Sequence, residues 1–454
     1  MIKMSLSQIA TQLNYLQPTQ EATFEGICSD TRTIKPKSLF VAIQGEHFDG
    51  NEFVTEAFKK GAACALVSRL IDCPIPQLIV KDTLQALGEI GAYWRNQFSL
   101  PIVGITGSNG KTTLKNMIAS ILQAACQHNA NQVLATEGNL NNNIGLPLML
   151  ARLDASHHFA VLEMGMNHFG EIAYLTALAK PNVAVITNAA EAHLEGLGSI
   201  AGVAKAKGEI FQGLQPNGTA ILNRDDAHFD YWKNLIGKHQ YLTFGLEHNA
   251  DVTASLQDGH ITLSTPLGQI NVTLPLLGKH NVMNALAATA CALALKLNLN
   301  TIKSGLENVK PAPGRMRQYV LQNGTRIIDD TYNANPFSTQ AAIHTLANFK
   351  GKRILVLADM RELGKNASEL HFITGQRAKD AGIDHLLTFG TLTEATAKAY
   401  GKDAQHFTDK EKLLAALQPF LQKDTTILIK GSRSMKMEYF IEKLVPSEEL
   451  EHHH

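Results

Sequence analysis

Between residues 28 and 81, short apolar runs (Leu39-Phe40-Val41-Ala42-Ile43, Cys64-Ala65-Leu66-Val67) alternate with polar turns carrying Gly45 and Asp49-Gly50. Runs of that length bounded by turn residues predict a small α/β unit. The period changes over residues 83–97, where Leu84, Leu87, Ile90 and Trp94 fall at near-helical spacing and predict a helix leading into a second domain. Residues 100–106 then read as a buried strand, followed by a glycine-rich turn and by Leu114, Met117, Ile118, Ile121, Leu122 and Ala125 on one helix face. Further apolar strands at 159–164, 183–187 and 219–223 are separated by helix-length segments, as a doubly wound sheet requires. After Pro311-Ala312-Pro313-Gly314 the alternation resumes, with strands predicted at 326–330, 353–358, 385–390 and 426–431. The expected division is 1–82, 83–312 and 313–447, without tandem repeats or low-complexity tracts.

Composition narrows the class. A chain of 454 residues is long enough for about three domains. Lys plus Arg and Asp plus Glu both number 41, so the global basic excess of a non-specific nucleic-acid binder is missing and an anionic ligand must be met locally. With 44% hydrophobic and 18% charged residues, the composition is that of a compact soluble protein. The longest weakly polar stretch, residues 285–295, is well short of the ~20 needed to span a bilayer, and the first residues lack the apolar core of a secretory signal. Five scattered cysteines, with no CxxC pair, argue against a disulfide framework or a zinc site. These features predict a cytoplasmic protein. Residues 450–454 read as a cloning remnant with part of a purification tag, so their histidines carry no metal prediction.

The chemistry starts at Gly107-Ser108-Asn109-Gly110-Lys111-Thr112-Thr113, between the predicted strand and helix. Glycines let backbone N–H groups close around phosphate oxygens, and the helix N-terminus adds its positive dipole end. Lys111 can reach the β- and γ-phosphates, and Thr112 can ligate Mg²⁺. The strict GxxxxGK[ST] pattern fails, because Ile105 holds its first position and Gly104 comes one residue early; the flanking strand and helix carry the assignment. The predicted fold is therefore α/β in three domains. A central P-loop doubly wound sheet is flanked by a small N-terminal α/β domain and a Rossmann-like C-terminal domain.

Glu163 closes an apolar run and so sits at a strand's C-terminal edge, where open α/β sheets bind ligands. Taken alone it reads equally well as a surface carboxylate. In isolation His193 reads as an exposed loop histidine and Lys207 as a helix-surface lysine. The order GSNGKTT, LEMGMNHFGEI, NAAEAHLEGLGS, KAKGEIF, GKHNVMNALAA and PGRMR changes this. It resembles the Mur ligase family of ATP-dependent peptidoglycan-precursor ligases, over about residues 26–440. TEGNLNN at 136–142, DDTYNANP at 329–336 and KGSRSMK at 430–436 are most similar to its D-alanyl-D-alanine-adding branch.

The resemblance implies that ATP binds at Gly107, Ser108, Asn109, Gly110, Lys111, Thr112 and Thr113, with Asn281 and Asn284 on the adenine side and Arg315 and Asp330 reaching phosphates and ribose from the third domain. Asn281 and Asn284 read otherwise as helix N-terminal caps. It implies two Mg²⁺ ions, one at Thr112 and Glu163 and one served by His193 and Lys207. Lys207 would act as a carbamate, which supplies the hard oxygens Mg²⁺ prefers and requires a lowered lysine pKa. It assigns catalysis to Lys111, Glu163, His193, Lys207 and Arg315. Ser29, Asp30, Thr31, Arg32, Gly45 and Asp49 would hold the UDP part of UDP-N-acetylmuramoyl-tripeptide, although Asp30 and Arg32 also read as the mutual support of a polar turn. Thr136, Asn139, Asn141, Tyr332, Asn335 and Ser434 would face the substrates, with D-alanyl-D-alanine as acceptor. Asn51 and Arg361 depart from the family pattern, which favours His and an apolar residue there. No nucleic acid or membrane insertion is implied, and the chain is expected to be a monomer that stays open without ligands. A sister amino-acid-adding ligase, a folate polyglutamate ligase and a non-catalytic P-loop switch are the competing readings.

Overall fold

The computed structural model describes residues 1–446 except 46, 192–193 and 258–259, so His193 and the tag-like end lie outside the described residues. Three mainly parallel sheets follow one another along the chain. In the first, strands Ile27–Cys28, Leu39–Val41, Cys64–Val67 and Gln77–Ile79 lie side by side in chain order, next to the antiparallel pair Lys3–Ser5 and Thr23–Glu25. Helix Thr83–Arg95 starts at Asp82, whose carboxylate accepts the Leu84 and Gln85 amides at 2.9 and 3.0 Å. The predicted spacing puts Ala86, Leu87 and Ile90 into the first core, whereas Ala92 and Trp94 pack on the next. One helix thus serves as wall for both units.

The central sheet has six parallel strands in the order Gln240–Phe244, Thr219–Asn223, Val183–Ile186, Ile102–Thr106, Phe159–Glu163, Val133–Ala135. Both faces are covered, which explains the continuous apolar runs. Val103, Ile105, Val161 and Val185 pack under helices Lys111–Ala125, Lys279–Ala294 and Leu299–Glu307. Ile102, Ala160, Leu162 and Ile186 face Glu171–Ala179, Ile200–Gly208 and Trp232. After Ile102–Thr106 the chain builds two strands on one side and then crosses to the other at Val183–Ile186. This reversal opens a crevice at the strands' C-terminal ends.

The antiparallel ribbon Thr253–Gln257, His260–Thr265, Gly268–Val272 has no counterpart in the pattern analysis. It buries only one face, through Ile261, Leu263 and Val272, so its apolar signal is sparse. The third sheet orders Arg317–Val320, Arg326–Asp330, Thr425–Lys430, Lys352–Ala358, His385–Phe389 and Ala404–Phe407, all parallel except the first.

Candidate active site

The glycine loop stands at the crevice. Gly107 has φ +150° and a Cβ there would lie 1.7 Å from Thr187 Oγ1, so this position takes no side chain. Gly110, at φ +84°, starts helix Lys111–Ala125 with no side-chain cap, and the first helical N–H groups stay available to an anion. Thr187 Oγ1 donates to the Asn109 carbonyl at 2.6 Å, and Ser108 exchanges hydrogen bonds with Ala190, tying the loop to the neighbouring strand end. Lys111 Nζ donates to the Gly107 carbonyl at 2.6 Å. Burial lowers its pKa to about 8; Glu163 opposes that fall and Arg315 adds to it.

Glu163 is only 1% exposed. Its Oε2 accepts from Thr112 Oγ1 at 3.3 Å, while Oε1 is buried without a hydrogen-bond partner, 4.0 Å from Lys115 Nζ. Lys115 donates instead to the Thr136 carbonyl at 2.8 Å, and Thr136 Oγ1 accepts the Glu163 amide at 2.9 Å. Thr136 therefore braces the carboxylate from behind and does not line the cavity. Lys207 is buried at 2% exposure, and its side chain has no hydrogen bond or ion pair to a described residue. Burial, with Lys111 adding, holds its pKa well below the usual lysine range. The reading of Lys207 as a surface lysine is thus replaced by a buried amine beside the phosphate loop.

The third domain closes on this cluster. Arg315 Nη2 donates to Thr112 Oγ1 at 2.9 Å while its guanidinium lies 4.1 Å from the Tyr332 ring centre, and Asn335 Nδ2 donates to Asn109 Oδ1 at 2.8 Å. The second and third domains are thus in direct contact along this seam. Asn281 and Asn284 lie inside their helix, whose N-cap is Gly278; Asn281 donates to the Leu277 carbonyl and Asn284 to Asn281 Oδ1, so neither is the cap.

A cavity of about 1410 Å³ joins these parts. Ser108 to Thr113, Asn139, Asn141, Glu163, Lys207, Asn281, Asn284, Arg315, Asp330, Tyr332 and Asn335 all border it; Gly107, Ser434 and the predicted first-domain residues do not. Ser434 is exposed on the short turn Arg433–Met435. In the first domain Arg32 forks onto Asp30 at 2.6 to 3.1 Å, Lys60 donates to the Thr31 carbonyl, and Asp49 pairs with Arg69 and Asn51. Ser29 flanks this turn, and Gly45 packs against the Phe48 ring. Asn51, the departure from pattern, is buried and bonds Asp49 and Ser68. Arg361 pairs with Asp359 at 3.3 Å.

Against known families, residues 23–95 match the Mur ligase family catalytic domain, 105–292 the Mur ligase middle domain and 314–433 the Mur ligase glutamate ligase domain. The chain belongs to the Mur ligase family. This Mur ligase is 44% identical to the UDP-N-acetylmuramoyl-tripeptide--D-alanyl-D-alanine ligase of Escherichia coli (strain K12), over 98% of this chain and 99% of that protein. The Haemophilus influenzae ligase of the same name is 42% identical over 98% and 99%. Among solved structures, MurF from Acinetobacter baumannii superposes with a TM-score of 0.90 at 35% identity, covering 98% of this chain and 99% of that one. MurF from Thermotoga maritima in complex with ADP gives 0.83 at 28% identity, covering 94% and 98%.

Sequence reasoning overlooked three residues of this Mur ligase. Lys115 falls one turn after Lys111 on a helix face otherwise apolar, and a charge there was its signal. His280 borders the cavity, and burial, with Lys430 adding, pushes its pKa down to about 4. Lys430 closes the apolar strand Thr425–Lys430 as Glu163 closes its own, which is the same strand-end signal.

Proposed function

We propose that this Mur ligase joins D-alanyl-D-alanine to the free carboxylate of UDP-N-acetylmuramoyl-tripeptide, with ATP converted to ADP and phosphate, in peptidoglycan precursor synthesis. The observation that carries the reading is near-full-length identity of 44% to a ligase of that name. A carboxylate is a poor electrophile and needs activation. One carboxylate oxygen attacks the γ-phosphorus and the β–γ bridge breaks, giving an acyl phosphate and ADP. The dipeptide's neutral amine then attacks the acyl carbon, phosphate leaves, and the amine proton passes to solvent or a base. Charge develops on the phosphoryl oxygens, where Lys111 and Arg315 converge from two domains. Asn281 and Asn284 face the adenine side and Asp330 the ribose.

A hard cation fits the donor set: Glu163 keeps one buried oxygen unpartnered beside the Thr112 hydroxyl. Bound Mg²⁺ neutralises phosphate charge there. A second ion fits at Lys207, whose buried amine has no partner among the described residues and is suited to carbamate formation; His193, its expected companion, lies outside the described residues. Ser29, Asp30, Thr31, Arg32, Gly45 and Asp49 take the UDP moiety, while Asn139, Asn141, Tyr332 and Asn335, which border the cavity, orient tripeptide and dipeptide; Thr136 acts only through Glu163, and Ser434 lies away from the cavity. The contacts across the second and third domains keep water from the acyl phosphate. No described helix is long and apolar enough to cross a membrane. We place the reaction in the cytoplasm, with a monomer as the working unit.

The test is phosphate release from ATP with UDP-N-acetylmuramoyl-tripeptide, comparing D-alanyl-D-alanine with single amino acids and weighing the product. Release that requires the dipeptide, with a product heavier by the dipeptide less water, is expected. Release with another acceptor moves the chain to a sister ligase.

A further inference from the structure

We propose that Lys430 is a positioning residue for nucleotide recognition, orienting the Asp330 carboxylate toward the ribose hydroxyls of ATP. The inference rests on the reading of Asp330 as the ribose-facing acid. Strands Arg326–Asp330 and Thr425–Lys430 are parallel neighbours, with Asp330 directly opposite Lys430 at their C-terminal ends. Register partners leave a sheet on the same face, so the two side chains meet. Lys430 Nζ donates to Asp330 Oδ2 at 2.6 Å and to the Asn333 carbonyl at 2.9 Å. Their side chains are 3% and 13% exposed, and both residues border the cavity. Two of the three ammonium protons are thereby committed, which makes Lys430 a fixed donor.

Asp329, one residue earlier, shows the contrast. Its carboxylate accepts the Gly314 amide and the Thr331 amide and hydroxyl, and so serves the link between the second and third domains. Asp330 points the other way, with one oxygen anchored by Lys430. Burial raises the Asp330 pKa and Lys430 opposes that rise, so the lysine also favours the charged form of the acceptor. A buried ion pair with only a structural purpose would have the same distances. What separates the two is discrimination between nucleotides that differ by a single hydroxyl.

The experiment compares kcat and KM for ATP, 2′-deoxy-ATP and 3′-deoxy-ATP in the full-length enzyme and its variants. A site that hydrogen-bonds a hydroxyl through a charged group rejects the analogue lacking it, here by roughly tenfold or more for at least one analogue. In Lys430→Gln, which keeps a donor and removes the charge, KM for ATP is expected to rise roughly tenfold while kcat and the KM of the rejected analogue hardly move. Asp330→Asn should erase the same preference, and the double variant should be no worse than either single. Equal weakening of all three nucleotides by Lys430→Gln overturns the proposal. Preference lost in Asp330→Asn but intact in Lys430→Gln overturns Lys430 alone; no preference in the unmodified enzyme overturns the Asp330 reading and the proposal with it. Should the glutamine variant not fold, Lys430→Arg, which keeps the charge but shifts the donor, carries the comparison: a reduced ATP preference supports the proposal and an unchanged one overturns it.

Discussion

The phosphate loop and the turn at Asp30 both set small or hydroxyl residues beside a basic side chain, yet their polar groups are in opposite states. Around the loop, Glu163 Oε1 and Asn109 Nδ2 are buried without partners, and Lys207 has none among the described residues. In the turn Asp30 is closed onto Arg32, and Asp49 onto Arg69 and Asn51. Buried polar atoms without partners are costly, at about 1–3 kcal/mol each, and persist where a ligand completes them. The loop is a site held ready for charge. If the turn takes a diphosphate as proposed, it exchanges an existing ion pair for it, and its contribution to binding is then a difference between two good states.

That contrast predicts unequal sensitivity. Lys111→Met, which removes the charge at the phosphate loop, should lower kcat by roughly a thousandfold in the phosphate-release assay. A loss under tenfold would place the transferred charge elsewhere. If Lys207 acts as a carbamate, Lys207→Ala should lower activity by roughly a hundredfold, with partial recovery on adding small carboxylates that stand in for the carbamate oxygens. Full activity in that variant would take Lys207 out of the site. Arg32→Ala should raise KM for the UDP substrate by roughly tenfold, leaving kcat and the KM for ATP near their original values; an unchanged KM would leave the turn as scaffold.

The smallest effect concerns acid stability. The hydrogen bonds from Arg32 hold the Asp30 carboxyl at about 2, below the ordinary carboxylate range. A depressed folded-state pKa contributes stability that is present above about pH 4 and lost as pH falls toward 2. Because the Arg32 side chain is 84% exposed, solvent screening keeps this below about 1 kcal/mol. NMR titration of the Asp30 carboxyl should find a midpoint near 2 in the parent and near 4 in Arg32→Ala; equal midpoints would show the pair absent in solution.

Much of the scaffold was legible in the chain. The runs at 100–106, 159–164, 183–187 and 219–223 become central strands because strands buried on both faces need unbroken apolar residues, and such runs stand out. The ribbon from Thr253 to Val272 buries one face and was missed. The glycine loop was readable because its function depends on consecutive residues. Asn281 was ambiguous, since a capping residue and a first-turn helical asparagine differ by less than one turn; Gly278, at φ +91°, takes the cap.

Local order of this kind (strand, glycine loop, helix) follows from interactions between near neighbours, so the amino-acid sequence alone was enough to determine it, together with charge balance and family membership. Burial and pairing are another matter. Lys207 sits in a helix whose surface or interior status depends on what packs over it, and only the folded chain buries it at 2% exposure. Glu163 could have been a surface acid until Thr112 and Lys115 gathered around it, with Arg315 of the third domain bonded to Thr112. Lys430 and Asp330 are 100 residues apart and meet because two strands distant in the chain became neighbours in register. Which charges lose water and which find partners is decided by sheet order and domain docking, because desolvation depends on all the surrounding atoms and not on adjacent residues.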